Sequence, residues 1–232
     1  MDTSGHGTVD AVLVLLVLLL FVQTVSRLPR PERLRAKRLR AVALLWPAAL
    51  LWAAVAVPSL LQTRVGGLYD ALHRDPGLIV DHQQWWRVVT AVVVQDGDWS
   101  GTVWNLAVLA IVAPLAVRQR GGRACWAVFW GCGAGINVVA AVARFPAGGG
   151  NSFATYALAC AVVVRAWTAP ADRLPRVLAA GVPVAAAALV ALRDAHGLAM
   201  FVGLAAGLAV DLVGHGRRPV SPGAPARRPG RG

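Results

Sequence analysis

Seven long apolar segments constrain the fold of this chain more than any other feature of its sequence. A helix of about 20 residues crosses the roughly 30 Å of hydrocarbon in a bilayer, and backbone groups in lipid must be paired internally. We therefore predict an all-α, polytopic membrane protein with seven spans. The segments are residues 9–26, 41–60, 102–118, 124–144, 152–168, 177–192 and 196–214.

The composition agrees with membrane spans and argues against a soluble domain. Apolar residues make up 57% of the 232 residues and charged residues only 15%, too few to cover a soluble core. The three cysteines, Cys125, Cys132 and Cys160, all lie inside apolar segments. Their number and spacing give neither a disulfide framework nor a metal site, so we expect packing residues, no metal and no cofactor.

The basic residues predict the orientation. If the segment 27–40 is cytoplasmic, 18 of the 23 Lys and Arg residues fall on that side. The positive-inside rule then places the N-terminus outside and the C-terminus in the cytoplasm, most simply in a bacterial plasma membrane. The net charge of +12 is thereby explained by topology and by membrane lipids, without nucleic acid as a partner. The loop 61–101 is apolar and rich in tryptophan, which predicts a position in the outer headgroup layer.

Three polar residues are expected at one depth in the outer leaflet. Asn105, Ser152 and His196 begin three segments that cross the membrane in the same direction. A serine hydroxyl needs a base within hydrogen-bond reach, and a neutral imidazole is such a base. An amide and the N–H groups at a helix start are suitable donors to an oxyanion. The set therefore indicates a nucleophile, a base and an oxyanion donor.

The residues alone leave structural roles open. Ser152 also fits a helix cap or packing residue, His196 an interfacial residue, and Asn105 a partner for a neighbouring carbonyl. Asp211, close to the basic C-terminal tail, is expected at the inner interface. The Gly203-x-x-x-Gly207 spacing predicts a close approach between the last helix and the serine helix.

Four motifs in order resemble the rhomboid family of intramembrane serine proteases. "WWRVVT" resembles its Trp-Arg loop motif, and "VWNLAVLAIVAPLAVRQRG" its second core helix, with Asn105 at the oxyanion asparagine. "GGNSFATYAL" resembles the Gly-x-Ser segment, with Ser152 at the nucleophile and Tyr156 at the tyrosine that stacks on the catalytic histidine. "AHGLAMFVGLAAGLAVD" resembles the last helix, with His196 at the base and Gly203 at a packing glycine.

The resemblance implies a six-helix core at 41–214 and a Ser152–His196 dyad that cleaves single-span membrane proteins near the outer leaflet. It implies that Gly150 supports the site. It also implies that Asn105 and the Ser152 N–H donate hydrogen bonds to the oxyanion. Asp194 is expected to point away from His196. Outside the core, the resemblance leaves an outer tail 1–8, an extra transmembrane helix 9–26, a basic cytoplasmic loop 27–40 and a disordered basic cytoplasmic tail 215–232.

Departures from the family pattern support an alternative. Gly101 stands where the family has a histidine that helps to hold the oxyanion, and Phe153 follows the serine where a small residue is usual. Ala199 and Val117 replace a glycine and an acidic residue. The alternative is a catalytically inactive rhomboid-like protein that binds transmembrane clients through the same groove.

Overall fold

A computed structural model describes residues 4–29, 45–97, 99–169 and 172–216 of the chain. Most of the predicted loop 27–40, nearly all of the predicted tail 215–232 and the first three residues lie outside these ranges.

The described residues form helices and no β-strand; the one isolated β-bridge joins Arg74 and Gly148. A 3₁₀ helix spans Ala91–Val93. The α-helices are α1 Ser4–Arg27, α2 Trp46–Leu61, α3 Leu68–Leu72, α4 Pro76–Val80, α5 Arg87–Thr90, α6 Trp99–Arg120, α7 Gly122–Val142, α8 Ser152–Val163, α9 Arg165–Thr168, α10 Arg173–Ala191 and α11 Ala195–Gly216.

Five of the seven predicted spans are helices long and apolar enough to cross a membrane. They lie in α1, α6, α7, α10 and α11. The other two predicted spans are shorter apolar helices: α2 has 16 residues, and the remaining stretch, Ser152–Thr168, comprises α8 and α9. At 1.5 Å per residue α2 is about 24 Å long, less than the hydrocarbon thickness.

The short helix α8 lies at the centre of the bundle. Every residue from Ala154 to Val163 is buried, and α8 packs against α1, α6, α7 and α11. Complete burial is expected of a helix that is apolar on all sides. The helix that begins at Ser152 is therefore enclosed by four neighbouring helices.

Small residues bring α8 and α11 into backbone contact. A Cβ atom added to Gly203 would lie 2.2 Å from the Ala157 carbonyl oxygen, and one added to Gly207 would lie 2.4 Å from that of Ala161. No side chain fits between the helices at either level. This is the close approach expected from the Gly203-x-x-x-Gly207 spacing.

A buried ion pair joins three helices at the other end of α8. Arg120 of α6 contacts Asp211 of α11 at 2.7 Å, and both side chains are almost fully buried. The Arg120 guanidinium also donates to the Ala161 carbonyl of α8, and Thr168 donates to Asp211. The partner of Asp211 is thus Arg120, an arginine distant in sequence, and not a residue of the basic tail close to it.

Two arginines order the region between α2 and α6: Arg87 bonds within the region, and Arg74 joins it to the bundle. Arg87 donates to the carbonyls of Asp70 and His73 at 2.8 and 2.9 Å. Arg74 donates to Asn137 of α7 at 3.0 Å, and Asn137 in turn donates to the Val88 carbonyl. These contacts account for the polar Asn137 within an apolar helix.

The cysteines are packing residues, as predicted. Cys125, Cys132 and Cys160 are free and buried.

Candidate active site

Ser152 is the first residue of the central helix α8. The glycines before it allow the chain to approach from the loop: Gly150 has a φ of 155°, which favours a residue without a Cβ atom, and its N–H donates to the Ala91 carbonyl at 2.8 Å. The first N–H groups of a helix have no partner within that helix. The Ser152 N–H is therefore placed where a helix start attracts negative charge.

A cavity of about 380 Å³ opens at this end of the bundle. The three residues predicted as nucleophile, base and oxyanion donor, Ser152, His196 and Asn105, all line it. They come from the N-terminal parts of α8, α11 and α6. The structure therefore brings these three distant residues to one site.

An open space beside Gly150 separates the serine and the asparagine. A Cβ atom added to Gly150 would lie 3.7 Å from Ser152 Oγ and 3.8 Å from Asn105 Nδ2. The absence of a side chain at Gly150 thus leaves room for a small group between the hydroxyl and the amide. None of the hydrogen bonds found among the described residues involves Ser152 Oγ.

Gln95 holds the asparagine in place. Gln95 is buried, and its Oε1 accepts from Asn105 Nδ2 at 2.9 Å. Its Nε2 donates to Ser59 at 3.0 Å and to Asn151 at 2.8 Å. Because an amide nitrogen carries two hydrogens, Asn105 retains one N–H for a ligand in the cavity.

His196 is held by the residue that precedes its helix. Asp194 Oδ1 lies 2.7 Å from His196 Nδ1 and accepts from the His196 backbone N–H at 2.8 Å. The expectation that Asp194 points away is therefore wrong: its carboxylate caps α11 and so stays beside the ring. Burial alone raises the pKa of the Asp194 carboxyl, but the bonds to His196 hold that pKa below its usual value.

Two aromatic rings of α8 pack on the histidine. The Phe153 ring lies 5.0 Å from the His196 ring between centroids, at an interplanar angle of 65°. The Tyr156 ring lies 5.7 Å away at 89°, an edge-to-face contact and not the stack that the resemblance implied. Both geometries are favourable for aromatic pairs and restrict the ring.

The position of Gly101 is open. Among the described residues, a Cβ atom there would meet only the Asp96 carbonyl oxygen, at 3.4 Å. The family's histidine is absent from this position, while Gln95 contacts Asn105 from the preceding loop.

The extra helix α1 forms one side of the cavity. Asp10, Ala11 and Val14 line it, and one Asp10 oxygen is buried without a hydrogen bond among the described residues. Farther along α1, Leu20 packs on α10, where a Cβ atom on Gly181 would lie 2.9 Å from Leu20 Cδ1. The helix α1 therefore covers this side of the cavity.

The sequence reasoning missed Gln95, Asn151 and the role of Asp194. For Gln95, the signal that could have been used is its position directly after the apolar run Val88–Val94, which favours a buried polar contact. Asp194 carried the signal of an N-cap residue before an apolar helix. Neither pattern names the distant partner.

The fold and the cavity define the chain as a multi-pass membrane protein built from apolar helices. The family model of the Rhomboid domain matches residues 82–217, more than half of the chain. The protein belongs to the rhomboid family. Comparison with curated proteins found no match.

Proposed function

We propose that the protein is an intramembrane serine protease that cleaves single-span membrane proteins near the outer leaflet. The observation that carries the proposal is the convergence of Ser152, His196 and Asn105 on one cavity at the N-terminal end of a buried helix. Membership of the rhomboid family, typically intramembrane proteases, supports it.

In the proposed acylation, Ser152 Oγ attacks the carbonyl carbon of the scissile bond, and its proton passes to His196 Nε2. The carbonyl oxygen becomes an oxyanion that accepts from the free Asn105 N–H and the Ser152 N–H. The shared cavity, which Gly150, Ser152 and Asn105 all line, supports this placement of the carbonyl oxygen.

The intermediate then collapses, and the carbon–nitrogen bond breaks. The proton on His196 passes to the departing amine, and an acyl ester on Ser152 remains. A water molecule attacks this ester while His196 takes its proton; collapse releases the acid and returns the proton to Ser152 Oγ.

The site's position in a helical membrane protein supports the proposed substrate class. A single-span segment that unwinds locally at the outer leaflet presents a free carbonyl, which an intact helix does not. We propose the same frame as the charge pattern predicted: seven spans, N-terminus outside, C-terminus in the cytoplasm and a plasma-membrane location. Lipids are then the constant neighbours of the bundle.

Serine-directed labelling tests the nucleophile. A fluorophosphonate probe is expected to label the wild-type protein in detergent and to leave Ser152→Ala unlabelled. Ser26→Ala is the matched control and should label like the wild type, because within the described residues Ser26 Oγ bonds only Gln23 and Arg27, near its own end of α1. Equal labelling of wild type and Ser152→Ala rejects the assignment.

A second candidate function is a catalytically inactive protein that binds transmembrane clients. The contact of Phe153 with the His196 ring favours it, because a large ring occupies space next to the base. If wild type is inert and Phe153→Gly combined with Gly101→His becomes reactive to the probe, this candidate replaces the protease.

A further inference from the structure

We infer that Asp194 is a positioning residue that fixes His196 in the tautomer with hydrogen on Nδ1 and turns Nε2 toward Ser152. The inference deepens the proposed function and rests on it. It adds a carboxylate to what the family resemblance presents as a dyad of Ser152 and His196.

The first step is the geometry at the start of α11. One carboxylate oxygen of Asp194 contacts two groups of the same residue, the His196 backbone N–H at 2.8 Å and ring Nδ1 at 2.7 Å. The backbone contact fixes the carboxylate to the helix start. The ring is therefore tied to the backbone through a single oxygen atom.

The second step is the proton. An ionised carboxylate only accepts hydrogen bonds, so Nδ1 must carry the hydrogen. In a neutral imidazole the other nitrogen, Nε2, is then the acceptor, as a base for a serine hydroxyl requires. The shared short contact thus selects the reactive tautomer.

The third step is the surroundings of the ring. The side chains of Phe153 and Tyr156 from α8 pack on the His196 ring, and neither brings an ionised group to it. The other charged groups lining the cavity are Asp10, Asp96 and Arg74, and none of them bonds the ring in the described part of the chain. Asp194 is therefore the group that sets the proton position, and it stabilises the imidazolium formed when Ser152 reacts.

The test separates helix capping from ring orientation. Asp194→Ser keeps a good N-cap residue but removes the carboxylate that reaches the ring, and Asp194→Asn keeps both contacts without the charge. Asp75→Ser is the matched control, because Asp75 caps α4 by accepting from the Leu78 N–H at 3.0 Å and, among the residues that the structure describes, bonds no histidine nitrogen.

Two readouts are needed. The ¹⁵N spectrum of histidine-labelled protein, with His196 assigned by His196→Ala, is expected to show hydrogen on Nδ1 in wild type and a mixture of tautomers in Asp194→Ser. The fluorophosphonate labelling rate is expected to fall about 10- to 100-fold in Asp194→Ser and less in Asp194→Asn. Asp75→Ser is expected to change neither readout.

A wild-type His196 with hydrogen on Nε2, or wild-type labelling by Asp194→Ser, overturns the inference. Failure of the proposed function gives a different pattern. In that case no probe reacts with Ser152 in wild type, while the Asp194-dependent tautomer still confirms that the carboxylate fixes the ring.

Discussion

Replacing Gly203 with alanine inserts a methyl group where the backbones of α8 and α11 touch. The added Cβ would lie 2.2 Å from the Ala157 carbonyl oxygen, about 1.2 Å closer than the 3.4 Å at which ordinary contact begins. Backbone cannot rotate away as a side chain does, so the two helices must separate locally. Overpacking of this kind costs about 1–3 kcal/mol of folding free energy.

The contact lies close enough to the site to affect it. Gly203 is seven residues from His196, or about 10 Å along α11, and Ala157 is five residues from Ser152, or about 7.5 Å along α8. A separation of about 1 Å transmitted to the serine and the histidine costs on the order of 100-fold in rate. We expect Gly203→Ala to lower the fluorophosphonate labelling rate by about 10- to 100-fold.

The assay pairs labelling with thermal unfolding in detergent. Gly131→Ala is the matched control, because Gly131 lies within α7 and a Cβ there meets no described atom within 4 Å. The control is expected to label and unfold like the wild type. If Gly203→Ala also does so, the backbone contact between α8 and α11 is refuted, whatever the chemistry of the site.

Two other substitutions test buried contacts. Asp211→Asn leaves the buried Arg120 without its ion pair and is expected to cost about 3–5 kcal/mol of folding free energy, measured by thermal unfolding. Asp81→Asn, at the exposed pair with Arg144, should change the stability little. Equal stability of the two variants contradicts the burial argument. Gln95→Leu is expected to destabilise by about 1–3 kcal/mol for each buried partner left unpaired and to slow labelling, and a wild-type labelling rate would show that Asn105 is held otherwise.

The apolar segments were readable from the sequence because hydrophobic length is a local property. Five predicted spans correspond to helices of spanning length, and their boundaries differ from the predictions by a few residues. The apolar segments of the two shorter helices, α2 and α8, could not be distinguished in this way from those of the longer helices. Composition predicts that a segment avoids water, but not whether it is covered by lipid or by protein, and α8 is covered by protein.

The candidate site, too, was predictable only in part from the sequence. Chain direction through successive spans placed Ser152, His196 and Asn105 at one depth, and the spacing of Gly203 and Gly207 predicted close helices. These inferences need only counting along the chain. They do not give the rotation of each helix, which decides whether side chains at one depth face each other.

Side-chain partners were decided by the tertiary structure alone. Asp211 pairs with Arg120, 91 residues away, and Gln95 bonds Asn105 from a loop that folds back on the bundle. Asp194 contacts its near neighbour His196, yet its direction depends on how α11 begins. The sequence by itself determined which segments leave water, because that depends on local composition; which polar atoms meet was decided only by packing, because it depends on helix rotation and on contacts between distant segments.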